Sequence, residues 1–320
     1  SLSDDLDHVC QALDHFLKAE FNIALEMVSE TGSLRLYHIL GKAFLCFIRT
    51  MFTFDPVDIK KTLDEIEECI SVASAIKASQ RQTLYSRVAS VFRFGRSKAD
   101  ENEELQRLGA HCDLIIAELS LLRAVILIAT DECEGWVLMI KQSLHIHQSY
   151  SFYLRALKSP FMDTDPHFRS GVLLGNGVFN LIFPLLPPRI SQVFSIFGYK
   201  GNTFVGIEQL QECAMMSLGE DKIQSIRSPL SALVVLIYHL IVAFILPTSQ
   251  RISDDGSTTI PHWHKACNEI IQAGLTAHPN SPIFVYFQGR FLFVQGKLRE
   301  AMAVFEDGLK QDIEWPEMKH

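Results

Sequence analysis

The sequence predicts an all-α protein, an α-solenoid of stacked helical hairpins with an irregular helical middle. Three observations carry this. Apolar residues recur at helical spacing over long stretches, as in Ile59, Leu63, Ile66, Ile70 and Ala73. No run alternates apolar and polar residues as a half-buried strand would. Finally, one small/large residue pattern occurs near both ends: Ala12, Phe16, Ala19, Phe21 and Ala24 line up with Gly289, Phe293, Gly296, Leu298 and Ala301. The 320 residues are 48% hydrophobic and 21% charged, enough to bury a large core.

The helix boundaries follow from local chemistry. Asp55-Pro56-Val57-Asp58 places a capping carboxylate before a proline that suits the first helical position. The same punctuation recurs at Asp165-Pro166, Ser228-Pro229 and Ser281-Pro282. Two long helices are expected over 101–130 and 132–158, separated by a short acidic turn. Residues 100–104 (DENEE) read as a solvated helix start. Polar, turn-rich residues 251–259 read as a loop. Near the C-terminus, helices are expected at 282–294 and 298–310. Three regions result: N-terminal repeats over 1–158, a central region over 159–225 and C-terminal repeats over 226–320, within one superhelix.

The hairpins fit the tetratricopeptide pattern. Tyr37-x2-Leu40-Gly41-x2-Phe44 matches its opening, and Gly289, Gly296, Ala301 and Phe305 match its later spacing. Small residues let paired helices approach, and each hairpin leaves an apolar face that only a neighbour can cover. Tyr37, Gly41, Gly289 and Ala301 are therefore expected to be packing positions.

Several chemistries are disfavoured. A net charge of -8 argues against nucleic acid as a partner. Seven isolated cysteines, with no CxxC pair, read as reduced thiols rather than a disulfide or zinc framework. His262, His264 and Cys267 lack a fourth metal ligand nearby. His145 and His147 point apart on a helix. Gly171, Gly175 and Gly177 lack the Lys-Ser/Thr of a phosphate loop and fit close helix contact instead. No nucleophile elbow occurs, so no enzymatic activity, cofactor or metal is expected. Residues 1–5 carry neither a basic n-region nor an apolar h-region, so the chain reads as a piece of a longer or processed product.

Two stretches could touch lipid. Residues 230–246 are apolar throughout but sit at the short limit for spanning a bilayer, with His239 in the middle. A buried helix is the preferred reading. Residues 114–130 are also apolar, but Glu118 and Arg123 make spanning costly. Residues 177–199 hold one charge, Arg189. Pro184, Pro187 and Pro188 cut this stretch, so the first helix should end near Phe183 and a second, amphipathic one should run from Pro188 to Gly198. Arg189, in its first turn, is expected to pair with a carboxylate or with backbone carbonyls.

Specific blocks add to this. Tyr37-His38-x-Leu40-Gly41 and Met51-Phe52-Thr53-Phe54-Asp55-Pro56 come first. Then follow His167-Phe168, Gly171-Val172-x2-Gly175-Asn176-Gly177-x-Phe179-Asn180-Leu181, residues 185–190, Phe197-Gly198-Tyr199-x-Gly201-Asn202 and Gly206-Ile207-x2-Leu210. With Phe287-x-Gly289-Arg290, Gly296, Phe305 and Trp315, the chain resembles the tetratricopeptide repeat protein 39 family, which includes the fungal inclusion-body-clearance proteins. The resemblance runs from about residue 11 to the end and stops where the family usually continues with further helices. It implies a non-enzymatic, cytoplasmic adaptor that binds a protein or peptide in its superhelix groove, possible nuclear, lipid-droplet or mitochondrial-surface placement, and a link to clearance of aggregated protein. Asn176, Asn180, Arg189 and Asn202 are its signature positions, structural or partner-binding. The alternative reading is a lipid-handling protein at a droplet or membrane surface.

Overall fold

The computed structural model describes residues 2–29, 35–94, 99–129, 136–186, 201–218, 225–243, 263–279 and 281–309. Among them, every regular element is helical. A first hairpin, α1 (Leu2–Leu17) and α2 (Phe21–Ser29), leads to α3 (Leu36–Thr53) and the long helices α4 (Pro56–Phe94), α5 (Ala99–Ala129) and α6 (Trp136–Ala156). A single turn, α7 (Phe161–Thr164), precedes α8 (Pro166–Ile182) and a 3-10 turn at Phe183–Leu185. Then come α9 (Thr203–Leu218) and α10 (Ser228–Ile237), the latter continuing as a π-helical turn over Tyr238–Val242. Helices α11 (Trp263–Ala277), α12 (Pro282–Val294) and α13 (Leu298–Leu309) follow. Each helix packs mainly on its sequence neighbours, as a solenoid requires.

Three of the four expected helix starts use the capping punctuation. The Asp55 carboxylate accepts from the Val57 N–H at 2.7 Å. Asp165 and Ser281 cap α8 and α12 by accepting from Phe168 N–H at 3.0 Å and Phe284 N–H at 3.5 Å. Ser228 departs from this pattern. It lies one residue inside α10, and its hydroxyl instead donates to the Ala214 carbonyl at 2.5 Å and accepts from Ser217 N–H at 3.1 Å. The α-helical stretch α8 ends at Ile182, where the missing N–H of Pro184 tightens the chain into the 3-10 turn. The remainder of that stretch, with the expected second helix and Arg189, lies outside the described residues, as do 251–259.

The apolar run from Leu230 is not one regular helix. A π-turn interrupts it at Tyr238–Val242, where His239 is buried and Arg290 Nε donates to the Leu240 carbonyl at 3.1 Å. Among the described residues, no helix is long and apolar enough to cross a membrane.

The two related hairpins share their turn geometry. Ala19 and Gly296 both take positive φ, 61° and 76°. In both, the following N–H reaches five residues back: Glu20 N–H to the His15 carbonyl at 2.9 Å, and Lys297 N–H to the Leu292 carbonyl at 3.0 Å. These are left-handed C-caps of the Schellman type. The hairpins also meet in space. The Ser281 hydroxyl donates to the Leu17 carbonyl at 2.5 Å, and Phe16, Leu17 and Ala24 share one core cluster with Ile271, Phe284 and Phe287.

A Cβ on Gly296 would touch nothing within 4 Å, so substitution there reports the backbone alone. Gly296→Ala should lower stability by about 1–2 kcal/mol, the cost of a left-handed alanine, as read by urea unfolding.

Candidate functional site

The largest concentration of buried polar chemistry lies where α3, α5, the start of α8 and the segment before α10 converge. Arg227 is 1% exposed. Its Nε and Nη2 donate to the two carboxylate oxygens of Glu118 at 2.6 and 2.7 Å. Its Nη1 donates to the His167 carbonyl at 3.1 Å and to the Tyr37 hydroxyl at 3.4 Å. Tyr37 in turn bonds His111 Nδ1 at 2.6 Å, and His111 Nε2 lies 2.9 Å from Asp165 Oδ2. Arg107 Nε donates to the same oxygen.

The proton positions follow from the partners. Arg227 can only donate, so the Tyr37 oxygen accepts from it and its O–H points to His111 Nδ1. His111 is then the Nε2–H tautomer and donates to Asp165. The electrostatics agree. Burial pushes the Tyr37 phenol up to about 12, and burial lowers His111, keeping its ring neutral. Burial works against the Asp165 carboxylate. Hydrogen bonds from His111, the Phe168 N–H and Arg107 outweigh it and hold that carboxyl well below the usual range. Burial also lowers Arg227, but the Glu118 carboxylate outweighs this and raises it.

A Tyr–His–Asp chain has the outline of a relay for nucleophilic catalysis. Here it cannot serve as one. Tyr37 is fully buried, its oxygen is taken by Arg227, and His111 and Asp165 are 0% and 2% exposed. The network joins helices far apart in sequence, and no reacting group faces solvent. Among the described residues, no cluster of His, Cys, Asp and Glu could hold a metal. His264 is exposed and stacks on Trp263 at 3.5 Å between ring centroids, whereas Cys267 is buried. His262 lies outside the described residues.

The signature asparagines serve the α8–α9 contact. Asn202 accepts from the Phe204 and Val205 N–H groups at 3.0 and 3.3 Å, capping α9. Asn180 Oδ1 accepts from Asn202 N–H at 3.1 Å, and its amide donates to the Asn176 carbonyl at 2.9 Å. Asn176 donates to Gln209 at 2.7 Å. Beside them, a Cβ on Gly206 would lie 2.8 Å from the Gly177 carbonyl. The repeat positions are placed likewise. A Cβ on Gly41 would meet Val28 at 3.1 Å, one on Gly289 would meet Phe305 at 2.5 Å, and Ala301 is buried. Tyr37 does more than pack, because it carries the polar network.

Beside the network, α1, α2, α3, α5, α6, α8 and α10 line an apolar cavity of about 330 Å³. Its walls include Phe16, Leu40, Phe44, Leu121, Leu174 and Val234, and Glu118, Arg227 and Tyr153 supply its polar edge.

The sequence profile described as Iml2/tetratricopeptide repeat protein 39 matches residues 10–320. The chain belongs to that family. A relative, tetratricopeptide repeat protein ttc-39B of Caenorhabditis elegans, is 22% identical over 328 aligned residues, covering 100% of this chain and 52% of the relative. The chain therefore spans about half the length of this curated relative. No solved structure gives a significant match. Family membership fits the helical hairpins and the packing roles of the signature glycines. It supplies no role for Arg227 or Glu118, which the sequence pattern also did not single out as partners.

Two outcomes follow from the network. Arg227→Met should destabilise the fold by about 3–5 kcal/mol, because Glu118 is left buried and unpaired. The double variant Arg227→Met/Glu118→Leu should lose less than Arg227→Met alone, as read in a double-mutant cycle by chemical unfolding. His167 supplies a pH test. Burial, then Arg227, lowers its pKa from 6.5 to about 4. The unfolded chain thus binds more protons, so stability is full above pH 6.5 and is lost as pH falls toward 4. Asp165 stays ionised across this window. His167→Leu should flatten the decline of unfolding free energy between those values.

Proposed function

We propose that this protein is a non-enzymatic interaction scaffold, a rigid helical-repeat surface for a protein or peptide partner. The family and the stacked hairpins support this reading. The observation that carries it is the surface of α13. Ala301 is buried and Gly308 lies against Val285 of α12. A neighbouring stripe of Leu298, Met302 and Leu309 is 55%, 61% and 63% exposed. Their spacing puts all three along one side of the helix. An amphipathic helix with anchors at helical spacing, from a partner or from a following hairpin of a longer chain, would bury this stripe. The resemblance to the inclusion-body-clearance proteins supports a narrower reading: a cytoplasmic adaptor whose partner handles aggregated protein.

The test uses affinity capture with the full-length form, comparing wild type with Leu298→Glu/Met302→Glu. Both side chains are exposed, so the melting temperature should hold, each substitution costing under about 0.5 kcal/mol. Loss of a defined partner from the variant is the expected result. An unchanged set of captured proteins would remove α13 as the docking face.

A further inference from the structure

The apolar cavity beside the polar network has features that packing alone does not explain. Its volume, about 330 Å³, lies within the range of pockets that hold small organic ligands, roughly 300–1,000 Å³. Its walls are carbon almost throughout, and its polar groups gather at one side. Of these, Glu118 and Arg227 are joined by two hydrogen bonds and neutralise each other. Tyr153 differs. Its side chain is 0% exposed, and its hydroxyl has no hydrogen-bond partner. A Cβ on Gly175, which also lines the cavity, would lie 2.3 Å from that hydroxyl. A larger residue there would displace the ring, so the glycine leaves room for the phenol at the cavity wall. Buried hydroxyls are nearly always satisfied, and an apolar hollow does not hold ordered water well. Ile237 lines the cavity and is 41% exposed, so the cavity wall reaches the protein surface there.

We propose that the cavity binds an uncharged amphiphile, a hydrocarbon body with one hydrogen-bonding head that is met by the Tyr153 hydroxyl. The apolar walls receive the body. The phenol both donates and accepts, so an alcohol or ester oxygen satisfies it. A charged head is disfavoured, because the Glu118–Arg227 pair leaves no uncompensated charge to receive it and desolvation is costly. This site is independent of the α13 stripe.

The experiment uses the purified, delipidated chain with Nile red as the reporter, displaced by 1-dodecanol, dodecane or dodecanoate. Saturable displacement by 1-dodecanol is expected, with dodecanoate at least about tenfold weaker. Tyr153→Phe keeps the ring and removes the hydroxyl. It should weaken 1-dodecanol about three- to tenfold, the worth of one hydrogen bond, and leave dodecane unchanged. Its melting temperature should hold or rise, since an unsatisfied group is removed, whereas a purely structural hydroxyl would lower it. Val234→Trp, checked for unchanged helicity, should fill the cavity and abolish displacement by both neutral ligands. Absence of saturable 1-dodecanol binding to wild type would overturn the proposal. So would equal 1-dodecanol affinities for wild type and Tyr153→Phe, or equal binding of dodecanoate and 1-dodecanol.

Discussion

The guanidinium of Arg227 is the group on which the middle of this molecule depends. Taking an arginine and a glutamate out of water is costly, and only good geometry and full hydrogen bonding offset it. Here the fork meets both Glu118 oxygens, and the remaining Nη1 reaches the His167 carbonyl and the Tyr37 hydroxyl. Glu118 lies 109 residues from Arg227, and Tyr37 lies 190 residues from it. In a solenoid, contacts mostly link adjacent hairpins. A polar bolt between distant segments fixes one register among the many that interchangeable apolar faces would allow.

The glycines of α8 work to the same end. Gly171 sits against Arg227 and Leu114, Gly175 against Tyr153, and Gly177 against Leu210. Gly171 and Gly175 share one side of α8, and Gly177 faces α9 from another, so the helix is crowded on more than one side. Side chains there would push apart the elements that deliver Arg227 and Asp165 to the same place. The small-residue signature and the polar network are thus two halves of one arrangement, close approach on one side and directional bonding on the other.

Much of this was legible in the sequence, and the reasons are local. The helices expected at 282–294 and 298–310, the cap at Asp165 and the break at Pro184 follow from spacing, side-chain reach and a missing N–H. The matching of Ala19 with Gly296 was visible as pattern, and the shared positive φ gives it a physical basis. The partnership of Glu118 was not legible. A carboxylate inside residues 114–130, otherwise largely apolar, announces that some partner must exist, but nothing in the sequence says that it is Arg227 rather than any other cation. Tyr37 read as a packing residue because aromatic repeat positions usually are. Its hydroxyl became a link between Arg227 and His111 only when α5 and α8 were brought beside it. The cavity was equally hidden, since empty space between helices has no sequence signature.

The bond from Ser281 to the Leu17 carbonyl has a temporal side. Its partners are 264 residues apart. At a synthesis rate of roughly 5–20 residues per second, the first hairpin leaves the ribosome about ten to fifty seconds before the α11–α12 pair that covers it. Throughout that interval Phe16, Leu17 and Ala24 lack the C-terminal half of their core. A nascent chain therefore carries this hairpin without its C-terminal partners throughout that interval, and a bound chaperone would find an opportunity there.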